Sequence, residues 1–488
     1  MGTIPGRSSP GIHAFALARR AGLTSCARMS RTTTTSPRAW AAAHRCLAVL
    51  HGASTPTTSA WPAAMACPKA HLWWIGPSAM MTSPRSMIGW NGKSALPAMR
   101  DANSGPRTRG YPMPPLAPSL RTKVLARGAQ ALEFTTFTPP ILVNTVPRAG
   151  RDACCHCGSC VGFPCPTDAK NGTQNTMIPR ALATGRTTLI TGAHVTVIEQ
   201  DDNGHVIGAR YLTDAETGPR EHFARAKAVV VCAGAIETAR LLLLSASSAH
   251  PDGLGNHSDQ VGRHLQGHYY PAVFGLFDED VHPSDGPGVS IATTDFTHGN
   301  DGIIGGAMIA DDFVMLPTVF FHQALPPDVR RWGSDAKDFM RANFRRVAKI
   351  TGPVHEIPDP GCRVRLADFT DRFDLRVARL SGQVHVETIR TAEFISHRSA
   401  DWLAASGARH TWRSPIVRRL SAGQHQAGTC RMGTEPASSV TDQYGRVWGH
   451  ANLFVCDGSL HPTNGAYNPV LTIMAMAARN SQAISQTI

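Results

Sequence analysis

Five cysteines crowd into one short segment of this chain, between residues 154 and 165. Four of them, Cys154, Cys157, Cys160 and Cys165, are separated by two, two and four residues, and a proline follows the last. Ferredoxin-type iron–sulfur runs use spacings of two, two and three before a Cys-Pro end, so the match is close but inexact. An iron–sulfur cluster, a zinc ion or redox disulfide, and a packed loop without metal all stay open, and the packed loop is favoured.

A second set of chemically useful residues lies near the C-terminus. His425 belongs to the segment Gly423-Gln-His-Gln-Ala-Gly-Thr-Cys-Arg-Met-Gly433, and an imidazole that titrates near neutral pH can act as a general base. Residues 453–456 form an apolar run typical of a buried strand, and the turn-forming pair Asp457-Gly458 ends it. Asn468-Pro469 then predicts a helix start, because Asn is a preferred cap and Pro suits the first helical position. A helix N-terminus beside a strand end favours an anionic ligand group.

This stretch resembles the C-terminal signature of the glucose–methanol–choline (GMC) flavoprotein oxidoreductases. The matching residues, in order, are His425, Gly428, Thr429, Met432, Gly433, Asp457, Gly458, Ser459, Pro462, Asn468, Pro469, Thr472, Ile473 and Ala475. The resemblance implies FAD-dependent oxidation of the CH–OH group of an alcohol, polyol or sugar-type substrate, with the hydride passing to flavin N5. It implies that His425 is the base and that Asn468 hydrogen-bonds the substrate oxygen. The alternatives are a structural His425 and an Asn468 that only caps the helix.

The middle of the chain has an α/β pattern. Apolar runs predict three strands, at residues 187–190, 195–199 and 206–211, with the turn Asp201-Asp-Asn-Gly204 between the last two. Residues 226–232 are typical of a buried parallel strand, and residues 236–245 of a helix. Ala233-Gly234 between them resembles the second flavin motif of the GMC family, in which small residues let the backbone approach the flavin. Ala239 stands where that family usually has Pro.

The resemblance extends to the cofactor and to the electron acceptor. It assigns FAD contacts to seven residues: Val195, Ala233, Gly234, Asp457, Gly458, Pro469 and Thr472. Val195 would lie on the adenine side. Cysteine-rich segments followed by Ala-Lys also occur in bacterial GMC dehydrogenases, and Ala169-Lys170 fits them. A quinone or cytochrome is the expected electron acceptor.

Residues 268–424 alternate short apolar runs and are expected to form a largely antiparallel substrate domain. Strands are predicted at residues 272–277, 303–308, 319–322, 363–366 and 384–388, and a helix near 334–348. The predicted fold class is therefore α/β: a Rossmann-like, GMC-type FAD-binding domain, made of residues 173–267 and 425–488, with an antiparallel-sheet substrate domain between them. Residues 101–172 are expected to form a linker and the cysteine-rich loop.

The net charge of +13 is concentrated at one end of the 488-residue chain. Residues 1–100 carry eleven Lys and Arg and no Asp or Glu, so the remaining 37 basic and 35 acidic residues give only +2. A charge so distributed does not indicate a nucleic-acid partner, and no nucleic-acid motif occurs. No run of eighteen apolar residues occurs either, so the sequence predicts no transmembrane helix.

The first hundred residues lack helical or strand periodicity but hold five of the nine tryptophans. This aromatic content argues against both a transit peptide and ordinary disorder. Because Met and Trp have single codons, a shifted reading frame can be partly reconstructed. Reading residues 73–92 one base earlier permits acidic residues and a string that resembles the Trp-Pro-Ile-Ser-Tyr-Asp-Asp-Leu helix entry of GMC proteins. Residues 1–100 are therefore predicted to be irregular and translated out of frame, with the family pattern resuming near Asp101.

This prediction bears on the cofactor. GMC proteins hold the ADP half of FAD on an N-terminal Gly-x-Gly-x-x-Gly turn with an acidic ribose partner. The sequence has no such motif, and no acidic residue precedes Asp101. Three hypotheses follow: an FAD-dependent alcohol or polyol dehydrogenase, an inactive frame-disrupted product unable to bind FAD, and an iron–sulfur electron carrier.

Overall fold

The computed structural model describes residues 111–487, with gaps at 159, 161–162, 215–217, 282–285 and 314. The segment predicted to be out of frame, residues 1–100, lies outside the described residues. So does the stretch 101–110, where the family pattern is expected to resume.

The described part contains seven α-helices and thirteen strands, and several strands follow one another directly. The helices are α1 (Leu120–Ala131), α2 (Met177–Ala183), α3 (Ala235–Leu244), α4 (Pro317–Val319), α5 (Ser334–Asn343), α6 (Val386–Ala405) and α7 (Val470–Thr487). The strands are β1 (Thr136–Phe137), β2 (Ala193–Gln200), β3 (Val206–Thr213), β4 (Arg220–Arg225), β5 (Val229–Val231), β6 (Val273–Leu276), β7 (Ala292–Thr293), β8 (Ile309–Asp311), β9 (Val347–Thr351), β10 (Arg363–Thr370), β11 (Arg376–Ser381), β12 (His410–Arg413) and β13 (Leu453–Val455). None of the helices in this described part is both long and apolar enough to span a bilayer.

The C-terminal signature is built on a parallel pair of strands, β5 and β13, in which Val229 lies opposite Leu453 and Val231 opposite Val455. These four side chains enter one hydrophobic core, while Phe454 between them packs with Ile484 of α7 on the other face. The alternation follows from the period of two of a strand. Helix α3 follows β5 after a short turn, and α7 follows β13 after the longer connection 456–469.

A second region is organised by a six-stranded antiparallel sheet in the order β1-β7-β8-β9-β6-β12. Strand β6 shows how its two faces are used: Val273 packs in the core shared by α1 and α6, whereas Phe274 and Leu276 pack with the layer at 315–347. A strand buried on both faces needs apolar residues at successive positions. The predicted α/β fold with an antiparallel-sheet domain is confirmed, and the sheet also includes β1 from the segment expected to be a linker.

Helix α1 begins at a capping box. The Ser119 hydroxyl accepts the Thr122 amide at 3.2 Å, and the Thr122 hydroxyl accepts the Ser119 amide at 3.1 Å. Helix α6 packs closely on α1, where the indole N–H of Trp402 donates to the Leu125 carbonyl at 2.8 Å. This hydrogen bond satisfies the polar atom of a fully buried side chain, so the indole can be buried without an unpaired donor.

The structure corrects several predicted elements. Residues 187–190 form no strand, residues 319–322 are helical, and residues 384–388 run into the start of α6. Residues 303–308 are irregular apart from one bridge and lie before β8, and the helix predicted to reach residue 348 ends at Asn343. Such short apolar runs are compatible with either a strand or a turn of buried helix, so tertiary contacts decide between them.

Replacing Trp402 by Ala is expected to destabilise the protein by about 3–5 kcal/mol, because it empties a buried aromatic site and removes the hydrogen bond from the indole to the Leu125 carbonyl. Urea unfolding, followed by tryptophan fluorescence and circular dichroism, measures the shift. Trp332→Ala is the matched control: its indole is 73% exposed and contacts Arg330 only through a cation–π interaction at 5.6 Å, worth about 1 kcal/mol or less. Equal shifts for the two variants would contradict this account of the α1–α6 contact.

Candidate active site

The loop that carries His425 is held against the chain segment 262–270. Gln266 and Ala427 exchange backbone hydrogen bonds of 3.1 and 2.9 Å. Gly428 follows with φ +90°, and a Cβ at this position would overlap the carbonyl oxygen of His264. Glycine is required here on both grounds, so the Gly428 position of the signature corresponds to a close backbone contact.

The backbone of His425 has a left-handed conformation, with φ +58°. Such a conformation costs a non-glycine residue roughly 1–3 kcal/mol and persists where the surroundings hold it. The side-chain amide of Asn464 does so, because its Nδ2 donates to the His425 carbonyl at 2.5 Å and to the Gly267 carbonyl at 3.1 Å. Asn464 therefore ties the loop at 461–465 to both other segments of the site.

The imidazole of His425 has two side-chain partners at one nitrogen. Its Nδ1 lies 2.8 Å from Nδ1 of His268 and 3.1 Å from the Tyr270 hydroxyl. His268 is buried, and its Nε2 lies 3.1 Å from the carbonyl oxygen of Gly465. No hydrogen bond of the described residues involves Nε2 of His425, so this nitrogen is the one available to a substrate.

Burial determines the charge of the site. It lowers the pKa of His425 to about 4, and burial together with the neighbouring His425 lowers the pKa of His268 to about 3. Burial also raises the pKa of the Tyr270 phenol. At neutral pH both imidazoles are therefore uncharged and the phenol keeps its proton, so His425 is in the state that can accept a proton.

A buried carboxyl group binds residues close in sequence to each of the two histidines. Glu356 accepts the hydroxyl of Ser421 and, at 3.4 Å, the amide of Gly267. Burial raises the pKa of Glu356 to about 7. With its pKa near 7, this carboxyl is about half ionised at neutral pH, whereas both imidazoles are uncharged.

The parallel strand ends form the second part of the site. The Asp457 carboxylate accepts the amide of Gly234 at 2.9 Å, the hydroxyl of Thr238 at 2.6 Å and the amide of Ser459 at 2.8 Å. Both of its oxygens are therefore used within the protein. A carboxylate at the N-terminus of α3 also interacts favourably with the helix dipole.

The space beside Gly234 fits the close approach of a planar cofactor. Gly234 has φ +81°, and a Cβ added there would meet no atom within 4 Å. The amide of the preceding Ala233 is satisfied by the Thr238 hydroxyl at 3.1 Å. Gly458 is buried next to Asp457. Val195 is partly buried and packs against the hydrophobic core that contains the β5 and β13 side chains. An open surface with satisfied polar groups can take a flavin ring without leaving buried donors unpaired.

Asn468 is not placed beside His425 by any hydrogen bond of the described residues, and its side chain is exposed. Pro469 is buried, and its carbonyl accepts the first hydrogen bond of α7, from Ile473 at 2.9 Å. The helix therefore starts within one residue of the predicted position, with Thr472 half-buried in its first turn. The role of Asn468 in substrate binding stays a prediction.

Sequence reasoning missed the three residues that contact His425: His268, Tyr270 and Asn464. Asn464 lies between the signature residues Pro462 and Asn468, but it is not itself one of the matching residues. His268 and Tyr270 are more than 150 residues away along the chain. No spacing in the sequence connects them to the signature.

The iron–sulfur ligand set proposed from Cys154, Cys157, Cys160 and Cys165 is not supported. Within residues 111–487 as described, no group of three or more His, Cys, Asp or Glu side chains could hold a metal ion. Burial raises the pKa of the Cys160 thiol to about 11, which disfavours the thiolate that metals bind. The Cys160 sulfur instead lies 3.7 Å from the Cys157 carbonyl, as in a packed turn.

Comparison with known proteins identifies the family. Two sequence profiles, each described as GMC oxidoreductase, match residues 90–270 and 355–477. A 2-methyl-1,2-propanediol dehydrogenase from Mycolicibacterium austroafricanum is 32% identical over 381 residues, covering 76% of this chain and 67% of that protein. The chain belongs to the GMC oxidoreductase family. Members of this family are generally FAD-binding, as the resemblance of the C-terminal signature implies.

Two further relatives are an oxidase and a dehydrogenase. A 6'''-hydroxyparomomycin C oxidase from Streptomyces lividus is 31% identical over 376 residues, covering 75% of this chain and 64% of that protein. A fructose dehydrogenase large subunit from Gluconobacter japonicus is 25% identical over 402 residues, covering 82% of this chain and 70% of that protein. This GMC chain thus spans about two thirds of the length of the relatives it matches.

A solved structure shares the GMC chain's fold. The crystal structure of pyridoxine 4-oxidase from Mesorbium loti superposes with a TM-score of 0.51 at 17% identity, covering 80% of this chain and 72% of that chain. At this identity the similarity concerns the fold alone.

Gly428→Ala is expected to lower the free energy of unfolding by more than about 1 kcal/mol, because alanine is strained at φ +90° and its Cβ would overlap the His264 carbonyl. Gly423→Ala, in the same loop, is the control: no atom lies within 4 Å of a Cβ there, so a change within about 0.5 kcal/mol is expected. Chemical denaturation measures both. If the two variants unfold at the same denaturant concentration, the close contact between the loop and residue 264 is not real.

Proposed function

We propose that this GMC chain carries the site for FAD-dependent oxidation of a CH–OH group in an alcohol, polyol or sugar-type substrate. The observation that carries the proposal is the neutral, buried imidazole of His425, anchored at Nδ1 by His268 with its Nε2 available. Removing the hydroxyl proton of an alcohol requires such a base.

The protein's own residues would handle the proton and the substrate oxygen. His425 would accept the hydroxyl proton at Nε2. Asn468, at the start of α7, would donate its side-chain amide to the substrate oxygen, as the family resemblance implies. Bound FAD would supply the acceptor for the hydride, at flavin N5.

The proposed FAD contacts divide into two kinds. Ala233, Gly234 and Gly458 would offer backbone surface to the cofactor, and Val195, Pro469 and Thr472 would contribute side-chain contacts. Asp457 would act indirectly, because both of its carboxylate oxygens are already bound to protein donors. Its role would be to hold the two strand ends in the arrangement that receives the flavin.

The relatives support the substrate class through their names, which specify a hydroxyparomomycin, a propanediol and fructose. They include oxidases and dehydrogenases, so they do not choose between dioxygen and another acceptor. We propose a quinone or a cytochrome as the acceptor. The described residues contain no ligand set for an iron–sulfur cluster, so the electron-carrier hypothesis is not supported.

A second candidate is a frame-disrupted product that has the described site but does not bind FAD. The sequence has neither a Gly-x-Gly-x-x-Gly motif nor an acidic residue before Asp101, and the pyrophosphate and ribose of FAD need both. Resequencing the gene through the Asp101 codon decides whether residues 1–100 are read in the wrong frame.

His425→Ala should slow flavin reduction by about a hundredfold or more in a version with the reading frame restored before Asp101, because it removes the general base. Stopped-flow reduction by a hydroxylated substrate under anaerobic conditions measures the rate. His397→Ala, which changes an exposed histidine on α6, is the control and should leave the rate unchanged. Full FAD occupancy with an unimpaired reduction rate in His425→Ala would refute the assignment.

The chain with the sequence printed here is expected not to retain FAD, since it lacks the phosphate-binding turn and the ribose partner. Incubation with FAD, desalting and measurement of flavin absorbance per chain test this. The frame-restored version, treated in the same way, should retain FAD. Stoichiometric flavin in the unaltered chain would overturn the frame-disruption hypothesis.

A further inference from the structure

We infer that His268 is a positioning residue that holds His425 in the tautomer protonated on Nδ1, so that Nε2 of His425 bears a lone pair. The inference rests on the base role proposed for His425 and explains how that nitrogen is kept available. It is carried by a chain of hydrogen bonds from a backbone carbonyl through one buried imidazole to the next.

The first step is at the nitrogen of His268 that faces away from His425. Its Nε2 lies 3.1 Å from the Gly465 carbonyl oxygen, which can only accept, so this Nε2 carries a hydrogen. The side chain of His268 is only 4% exposed, and burial lowers its pKa to about 3. The imidazole is therefore neutral, its single ring proton is on Nε2, and its Nδ1 has a lone pair.

The second step is at the short contact between the two rings. Nδ1 of His268 and Nδ1 of His425 lie 2.8 Å apart, and two lone pairs at that distance would repel each other. The hydrogen must therefore belong to Nδ1 of His425, which donates it to His268. Since burial also keeps His425 neutral, its Nε2 has no proton and is the basic nitrogen.

The third step concerns the competing partner. The Tyr270 hydroxyl lies 3.1 Å from the same Nδ1 of His425, where its oxygen is a second acceptor for the Nδ1 hydrogen. A phenol can also donate. If His268 were replaced by an apolar side chain, Tyr270 could donate to Nδ1 of His425 and favour the tautomer protonated on Nε2, which cannot take a proton from substrate.

Hydrogen bonds to the backbone hold His268 and His425 in position relative to each other. Asn464, next to Gly465, donates to the carbonyls of Gly267 and His425 at 3.1 and 2.5 Å. The same loop that presents the accepting carbonyl to His268 therefore also holds the backbone of His425 and of the residue before His268. A donor–acceptor order supported in this way is set before any ligand binds.

The test determines directly which ring nitrogen of each histidine carries the proton, in the full chain without flavin or substrate. Two-bond proton–nitrogen NMR spectra of the ¹⁵N-histidine-labelled protein at pH 7 distinguish protonated from bare ring nitrogens, and His425→Gln and His268→Gln assign the signals. The expected result is a proton on Nδ1 of His425 and on Nε2 of His268. A proton on Nε2 of His425 in the unaltered chain overturns the inference.

The variants separate positioning from packing. His268→Leu should move the His425 proton to Nε2, whereas His268→Asn, whose Oδ1 can accept from His425 Nδ1, should keep it on Nδ1. Tyr270→Phe should also keep it there. His264→Leu is the matched control, a buried histidine of the same segment whose side chain makes no hydrogen bond to His425 among the described residues, and should change nothing at His425. An unchanged tautomer in folded His268→Leu would contradict the role of His268.

A kinetic comparison connects the tautomer to the reaction. In the frame-restored, FAD-loaded enzyme, His268→Leu should lower kcat about a hundredfold with KM changed less than about twofold, and His268→Asn should recover most of the rate. If His425→Ala leaves flavin reduction unimpaired, the base role fails. The NMR result is independent of that outcome, so failure of the positioning role and failure of the proposed function can be told apart.

Discussion

The described structure depends on the carboxylate of Asp457, which joins the ends of two parallel strands that are far apart in the chain. It accepts hydrogen bonds from Gly234, 223 residues away, from Thr238 in α3, and from Ser459 in its own loop. A carboxylate that is only 9% exposed would be costly without such donors. With them, it fixes the open surface beside Gly234 relative to the loop that leads on to α7. The proposed flavin side of the site is therefore held together by the buried Asp457 carboxylate and the three groups that donate hydrogen bonds to it.

The proposed catalytic side is assembled differently, from three loops that meet at backbone groups. The segment at 262–270, the loop around His425 and the loop at 461–465 are joined by the Gln266–Ala427 bridge and by the side-chain amide of Asn464. Backbone carbonyls set the direction of the hydrogen bonds, because a carbonyl can only accept. Burial then keeps the imidazoles neutral. The hydrogen bonds at Nδ1 and the burial of the ring together leave Nε2 of His425 without a hydrogen-bond partner among the described residues.

Much of the fold could be predicted because long or strongly patterned segments encode their structure locally. Strands β2 and β3, helix α3, strand β13 and the start of α7 all agree with expectation to within a few residues. Helix α6 was not predicted, although it is the longest helix described. Its buried face includes four polar residues, Thr388, Thr391, Ser396 and Ser399, which weaken the apolar periodicity that identifies a helix. The helix backbone satisfies two of these hydroxyls: Thr391 donates to the Glu387 carbonyl at 2.9 Å and Ser399 to the Ile395 carbonyl at 2.8 Å.

By itself the sequence determined the family and the α/β class and singled out His425 as the predicted base, because all three depend on residue types at short spacings. It also suggested a metal site from cysteine spacing, which the described structure does not support, since spacing alone does not bring four sulfurs to one point. Only the tertiary structure decided which residues meet His425. His268 is 157 residues from it and Asn464 is 39 residues from it, and their hydrogen bonds exist only because the chain path brings three loops together. The proton arrangement of the site follows from those contacts, and no local pattern encodes them.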